Sequence, residues 1–156
     1  MTARVIGGTA LVLWAATIVA LGWIFVMGWT VSGTDGRTEI FLAPAERDQI
    51  LAEMRQLLKA VHGVVAGLSG SDDDMKAAEE AARAAGMTMA ADTNPAIMAK
   101  LPLAFKQMGM SIHQDMDALA DAIVQKESSQ QLLQRLSSMT ARCTICHDLY
   151  RFAAGR

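Results

Sequence analysis

The chain has 156 residues, 52% hydrophobic, 19% charged and only 5% aromatic, with 14 basic against 16 acidic residues and a formal net charge of −2. That balance excludes a nucleic-acid binder that works by general positive charge, and two cysteines are too few for a disulfide scaffold. Composition excludes collagen-like and disordered chains, and the length suits one domain with an appendage. Eleven methionines beside so few aromatic rings mean that packing rests on aliphatic and thioether side chains.

From Val5 to Val31, 27 residues pass without a charge, between Arg4 and Asp35. As a helix this run spans ~40 Å, more than the ~30 Å hydrocarbon core of a bilayer, so it predicts a transmembrane anchor over residues 1–32. Trp23 and Trp29 fall toward its C-terminal end, where indole rings favour the membrane–water interface; Trp14 falls mid-segment, against lipid or a partner helix. A cleaved secretory signal is the competing reading. Its apolar region would run to ~7–15 residues, far shorter than this one, and Ala43-Pro44-Ala45 stands too far away to be its cleavage site. Arg4 and the free amine flank the short side. The positive-inside bias therefore predicts a cytoplasmic N-terminus and everything after Val31 outside the bacterial inner membrane, in the periplasm.

Residues 33–43, with Gly33 and Gly36, read as a linker off the membrane. Pro44 suits the first turn of a helix, and the apolar positions Ile50, Leu51, Met54, Leu57, Leu58, Val61, Val64, Val65 and Leu68 repeat with a 3.6-residue period up to Gly67 and Gly70. Ser71-Asp72-Asp73-Asp74 then offers a cap and three acids to the positive end of a second helix, closed by Gly86. Met87 to Asp92 reads as a loop. Asn94-Pro95 starts a short helical piece that Pro102 interrupts, and a main helix follows from about Leu101 to Gln125 with Phe105, Met108, Ile112, Met116, Leu119 and Ile123 as its inner stripe. Ser128 to Gln131 is a capping box for a last helix predicted to run to about Phe152. No segment shows strand alternation. Amphipathic helices with short connections over 44–156 make an all-α, antiparallel four-helix bundle the expected architecture behind the transmembrane helix.

Both cysteines fall in Cys143-Thr144-Ile145-Cys146-His147. C-x-x-C-H is the pattern of covalent haem attachment: two thiols on one helical turn can each add to a vinyl group, and the next residue projects an imidazole at the iron. His147 is then the proximal ligand through Nε2. Three plainer readings compete. A thioredoxin-type redox pair sits at a helix N-terminus beside strands, whereas this motif lies near the end of a long helix. A zinc site needs a fourth ligand, for which His62 and His113 are the remaining histidines. A structural disulfide or a chance match is the third. Thioether formation takes place outside the cytoplasmic membrane, in agreement with the topology drawn from Arg4.

The C-x-x-C-H motif on a last helix, followed by Asp148-Leu149-Tyr150-Arg151, resembles the class II c-type cytochromes, most closely the cytochrome c′ family, whose last helix ends C-x-x-C-H-x-x-Y-R. The resemblance covers roughly 44–154. Arg47, Leu51, Met54 and Val64-Val65-Ala66-Gly67 stand where the family has an Arg, the distal residue, a Met and a small apolar ending; Pro95-Ala96-Ile97-Met98 and Phe105-Lys106-Gln107 look like its third-helix region. The resemblance implies one covalent haem c on Cys143 and Cys146 with His147 on the iron. It also implies an apolar distal face at Leu51, with Met54 as the alternative sixth ligand about 60° round the same helix. Arg47 and Arg151 would meet the propionates or the proximal side, with solvated surface arginines as the plain alternative. Tyr150 would pack on haem or bundle, and the family's usual homodimer is a further expectation. The transmembrane anchor is a departure, since most members are soluble periplasmic proteins.

Two functions follow as expectations. A haem c tethered to the outer membrane face resembles an electron relay between membrane redox partners or a subunit of a respiratory complex. An open five-coordinate iron behind Leu51 resembles instead a binder or sensor of NO or CO. No nucleophile–base–orienter set or P-loop marks a hydrolytic enzyme.

Overall fold

The computed structural model describes residues 2–153, and side chains from Gly7 onward except those of Asp72 and Asp73. The side chains of the Arg4 flank and of two of the three acids expected at the start of the second helix, and the last three residues of the 44–156 segment, lie outside what the structure describes. The chain is mostly helical. It opens with α1 (Thr2–Met27), whose segment Gly7–Met27 is 21 residues long with mean hydropathy 2.3, exposed throughout, and long and apolar enough to cross a membrane.

Six further helices follow: α2 (Pro44–Gly67), α3 (Asp72–Ala84), α4 (Met87–Ala91), α5 (Pro95–Lys100), α6 (Leu103–Val124) and α7 (Ser129–Leu149). Their starts carry the expected chemistry. Glu46 accepts the Ala43 N–H at 2.8 Å behind Pro44, and Asp74 accepts the Ser71 N–H at 2.7 Å. The Ser128 N–H donates to Gln131 Oε1 at 2.9 Å, closing the capping box. Leu101, forced into extended backbone by Pro102, separates α5 from α6. The α4 turn stands where a loop was expected, and α6 begins two residues later than its apolar stripe implied. α2 packs on α3, α3 on α6, and α6 on α7, while the end of α1 lies against α5 and α6.

Three short strands were not foreseen. β1 (Thr30–Ser32) pairs antiparallel with β2 (Thr38–Ile40), with Thr30 opposite Ile40; β2 in turn pairs parallel with β3 (Tyr150–Phe152), with Glu39 opposite Arg151. Residues 33–43 are therefore no free linker, since the hairpin is tied to the end of the chain. The last helix correspondingly stops at Leu149, because Tyr150 turns to extended backbone (φ −130°, ψ 148°) to join this sheet. Strands of three residues leave no alternation to read, and one partner lies more than a hundred positions away.

The buried side chains fall into two clusters. One gathers Val64, Ala78, Ala82, Ile112, Met116, Leu119, Leu132, Leu136 and Met139 from α2, α3, α6 and α7. The other, toward the end of α1, gathers Ile40, Ile50, Ile97, Leu101 and Phe105, with Tyr150 and Phe152 against it. The α6 stripe is buried as its spacing requires, except Met108, which is half-buried. On α2, Leu58 and Val65 point outward despite their place in the apolar repeat.

Candidate functional site

A cavity of about 580 Å³ draws its lining from both clusters, within the size range of small-molecule and cofactor sites. Its lining is largely apolar: Ile50, Leu51, Met54 and Leu57 from α2, Phe105, Met108, Ile112 and Met116 from α6, and Met139 from α7. Cys143, Cys146 and His147 line the same cavity, all three from the last two turns of α7. A second depression of about 440 Å³ lies around Glu127, Arg135 and Arg142 and contains neither cysteine nor histidine.

Cys143 packs against the first cluster and Cys146 against the second, so the motif bridges them. Both are free and half-buried. Burial pushes the Cys146 thiol up to about 11, with Cys143 adding to the effect, and burial also raises Cys143. These sulfurs are held as protonated thiols at neutral pH, unlike the activated thiolate of a redox pair, and they sit at the negative end of the α7 dipole. His147, one residue on, is exposed. Its backbone carbonyl accepts a 3.4 Å hydrogen bond from Arg37 Nη1, reaching across from the β1–β2 hairpin.

Of the other sequence-predicted residues, Leu51 and Met54 line the cavity, whereas Arg47, Tyr150 and Arg151 do not. Arg47 reaches Asp48 at 3.4 Å, and its Nε is buried without a hydrogen-bond partner among the described residues. Arg151 is committed to the sheet, pairing with Asp35 at 3.1 Å and with Glu39. Tyr150 packs edge-on against Phe105 with ring centroids 5.4 Å apart, and burial raises its hydroxyl.

The cavity also takes Arg142, Arg55 and Glu53, which sequence reasoning missed, and His113, which it named only as a remaining histidine for a zinc site. Arg142 pairs with Asp115, yet its Nε is buried and finds no hydrogen-bond partner among the described residues; Arg55 is the other guanidinium in the lining. His113 is buried, and its Nδ1 lies 2.8 Å from the Ala85 carbonyl, which assigns the proton to that nitrogen. Glu53, raised by burial, stands 3.4 Å from the Thr93 hydroxyl. The one signal for these residues was adjacency: Arg142 precedes Cys143, Arg55 follows Met54 and His113 follows Ile112.

The donor set fits a haem c. Two free thiols three residues apart and the next imidazole share one apolar cavity with two arginines able to meet carboxylates. It fits a bare metal ion less well: among the described residues no three of His, Cys, Asp or Glu converge into a group that would hold one. Comparison with known proteins returns no matching family model, no matching curated protein and no matching solved structure.

Proposed function

We propose that this chain binds one haem c through thioethers at Cys143 and Cys146, with His147 as proximal ligand, and carries electrons between redox partners at the outer face of the bacterial inner membrane. On this reading α2, α3, α6 and α7 are the four helices of a cytochrome c′-like bundle and α1 is its anchor, with the domain in the periplasm. One observation carries it: both cysteines and the histidine that follows them line a single, largely apolar cavity.

The haem would supply a reversible one-electron iron couple. The chain's own residues hold and insulate it. The apolar side chains of α2 and α6 exclude water from the cavity. The hairpin restrains the end of α7 through Arg37 on the His147 carbonyl and through β3 immediately beyond it. A ligand helix held in this way moves little when charge changes, as electron transfer requires. Arg142 and Arg55, from within the lining, are better placed than Arg47 and Arg151 to meet the two propionates.

A second reading, binding of NO or CO, rests on Leu51: a leucine in the lining cannot ligate iron and would leave an apolar face to small uncharged gases. Absorption and EPR spectra of the protein, expressed with the machinery for c-type maturation and recorded with and without CO, decide between them. A low-spin iron with a sulfur ligand favours electron transfer through Met54. A high-spin iron that shifts with CO favours the gas site, and no haem signal at all overturns both.

A further inference from the structure

Beyond α1 the chain does not run free. Gly28 turns with φ +63°, so close to the α5–α6 corner that a β-carbon there would stand 2.5–2.7 Å from the Lys100–Pro102 main chain. The Trp29 N–H donates to the Lys100 carbonyl at 2.8 Å, and the Trp29 carbonyl accepts the Phe41 N–H at 2.9 Å. Lys106, buried although a lysine, donates from Nζ to the Phe25 carbonyl at 3.2 Å, at the open C-terminal end of α1, and lies 3.8 Å from the centre of the Phe25 ring. Lys100 sits 5.2 Å over the Trp29 ring and is held by Glu46 at 2.6 Å. These contacts fix the direction in which the domain leaves the helix.

The strand register extends to set Trp29 opposite Phe41, one step beyond Thr30 opposite Ile40. Ile40 is fully buried, so Trp29, Val31 and Phe41 lie together on the outer face of the sheet, 55%, 47% and 40% exposed. On this face Glu39 stands opposite Val31 and pairs with Arg151 of β3. The face is apolar at the Trp29–Phe41 pair next to α1 and becomes charged from Glu39 onward. The described apolar stretch of α1 ends at Met27 and the first charge after it is Asp35, so on the anchor reading the hydrocarbon edge falls near the end of α1. Trp29 stands two residues beyond, and Phe41 is hydrogen-bonded to it.

We propose that Trp29, Val31 and Phe41 are seated in the headgroup layer of the bilayer that α1 spans, holding the domain against the membrane in one orientation instead of on a tether. The inference rests on the anchor reading above, and the occupant it names is the lipid interface continuous with that anchor.

Single cysteines at Val31, Phe41, Val19 (mid-α1) and Leu133 (exposed on α7), placed in the haem-loaded chain, test this through their labelling by a water-soluble PEG-maleimide in lipid nanodiscs. The unsubstituted chain provides the background. The expected result is that Val31→Cys and Phe41→Cys label about an order of magnitude more slowly than Leu133→Cys, with Val19→Cys silent. If Val19→Cys labels as fast as Leu133→Cys, the anchor and the docked face fall together. If Val19→Cys is silent but Val31→Cys and Phe41→Cys match Leu133→Cys, the docked face alone is overturned. Val31 is half open to solvent, so Val31→Cys carries the test should Phe41→Cys fail to fold.

Discussion

Phe105 does more than fill space. With Ile50 and Leu101 it is one of the buried members of the cluster near the end of α1 that line the cavity, and it also meets Tyr150 at 5.4 Å and Phe152 at 6.2 Å between ring centroids. Truncating such a phenylalanine removes its transfer free energy and leaves a void that the β-strand and α6 cannot both close. Phe105→Ala is therefore expected to cost ~3–5 kcal/mol in denaturant unfolding, and Phe105→Leu less than half of that; a loss below ~1 kcal/mol for the alanine variant would show that the cluster does not bear on folding. Met54 asks a different question, because it lines the cavity beside Leu51 while its chain position places it about 60° farther round α2. Met54→Leu conserves volume and is expected to cost under ~1.5 kcal/mol. If the distal face belongs to Leu51, the oxidised absorption spectrum of Met54→Leu will match that of the parent protein. Loss of a sulfur–iron band in the variant would make Met54 the sixth ligand and withdraw the gas-binding reading.

The three-stranded sheet shows how a small element can govern the site without touching it. Arg151 joins Asp35 and Glu39 directly after the cavity-lining turn of α7, and Arg37 reaches the His147 carbonyl. The Glu39–Arg151 pair is only part-buried and lies at the edge of the fold, where ion pairs contribute about 1 kcal/mol, so Glu39→Gln should change global stability little. It should instead speed amide hydrogen exchange over 38–40 and 150–152, measured by mass spectrometry, with α3 unaffected as the internal control. Acid should act on the same contacts. The Arg37 side chain, together with the Arg37 backbone N–H and the charge of Arg151, holds the Asp35 carboxyl below its ordinary 3.8, and Lys100 holds Glu46 below 4.5. A carboxylate depressed on folding stabilises the fold above its unfolded value, and that contribution disappears as pH falls through the folded value. Exchange over the hairpin should thus rise only below about pH 4, while a rise already at pH 6 would point away from these carboxylates. The contrast with the helices explains what could be read in advance. Ile112, Met116, Leu119 and Ile123 announce α6 by spacing alone, and Cys143, Cys146 and His147 announce the site because five consecutive residues contain it. Glu39 and Arg151 are 112 positions apart, and nothing near either one marks the other. Arg151 was expected one helical turn beyond His147; the helix ends first, and the side chain goes to the sheet. Arg55, His113 and Arg142 join the site only because α2, α6 and α7 meet around one cavity, a consequence of packing that no local pattern states.

Taken as a whole, the domain has its core in two parts joined through the cavity, and this arrangement links folding to the group the cavity would receive. One cluster mixes alanines with larger Ile, Leu and Met side chains, and the other rests on Ile40, Ile50, Ile97, Leu101 and Phe105. Side chains of both, among them Met139 of the first and Ile50 of the second, face each other across a space of about 580 Å³. A group seated there would give this lining apolar contacts that neither cluster supplies alone, against a total domain stability of only ~5–15 kcal/mol. Cys143→Ala/Cys146→Ala, which cannot form thioethers, is expected to lose at least ~4 kcal/mol and to melt ~10 °C or more below the haem-loaded chain in the same detergent. Its far-ultraviolet circular dichroism should keep the signal of α1, whose described side chains from Gly7 to Met27 are exposed and not part of either cluster. Equal melting temperatures for the two proteins would mean that the two clusters support each other unaided, and the cavity would then lose its standing as the place where a prosthetic group completes the core.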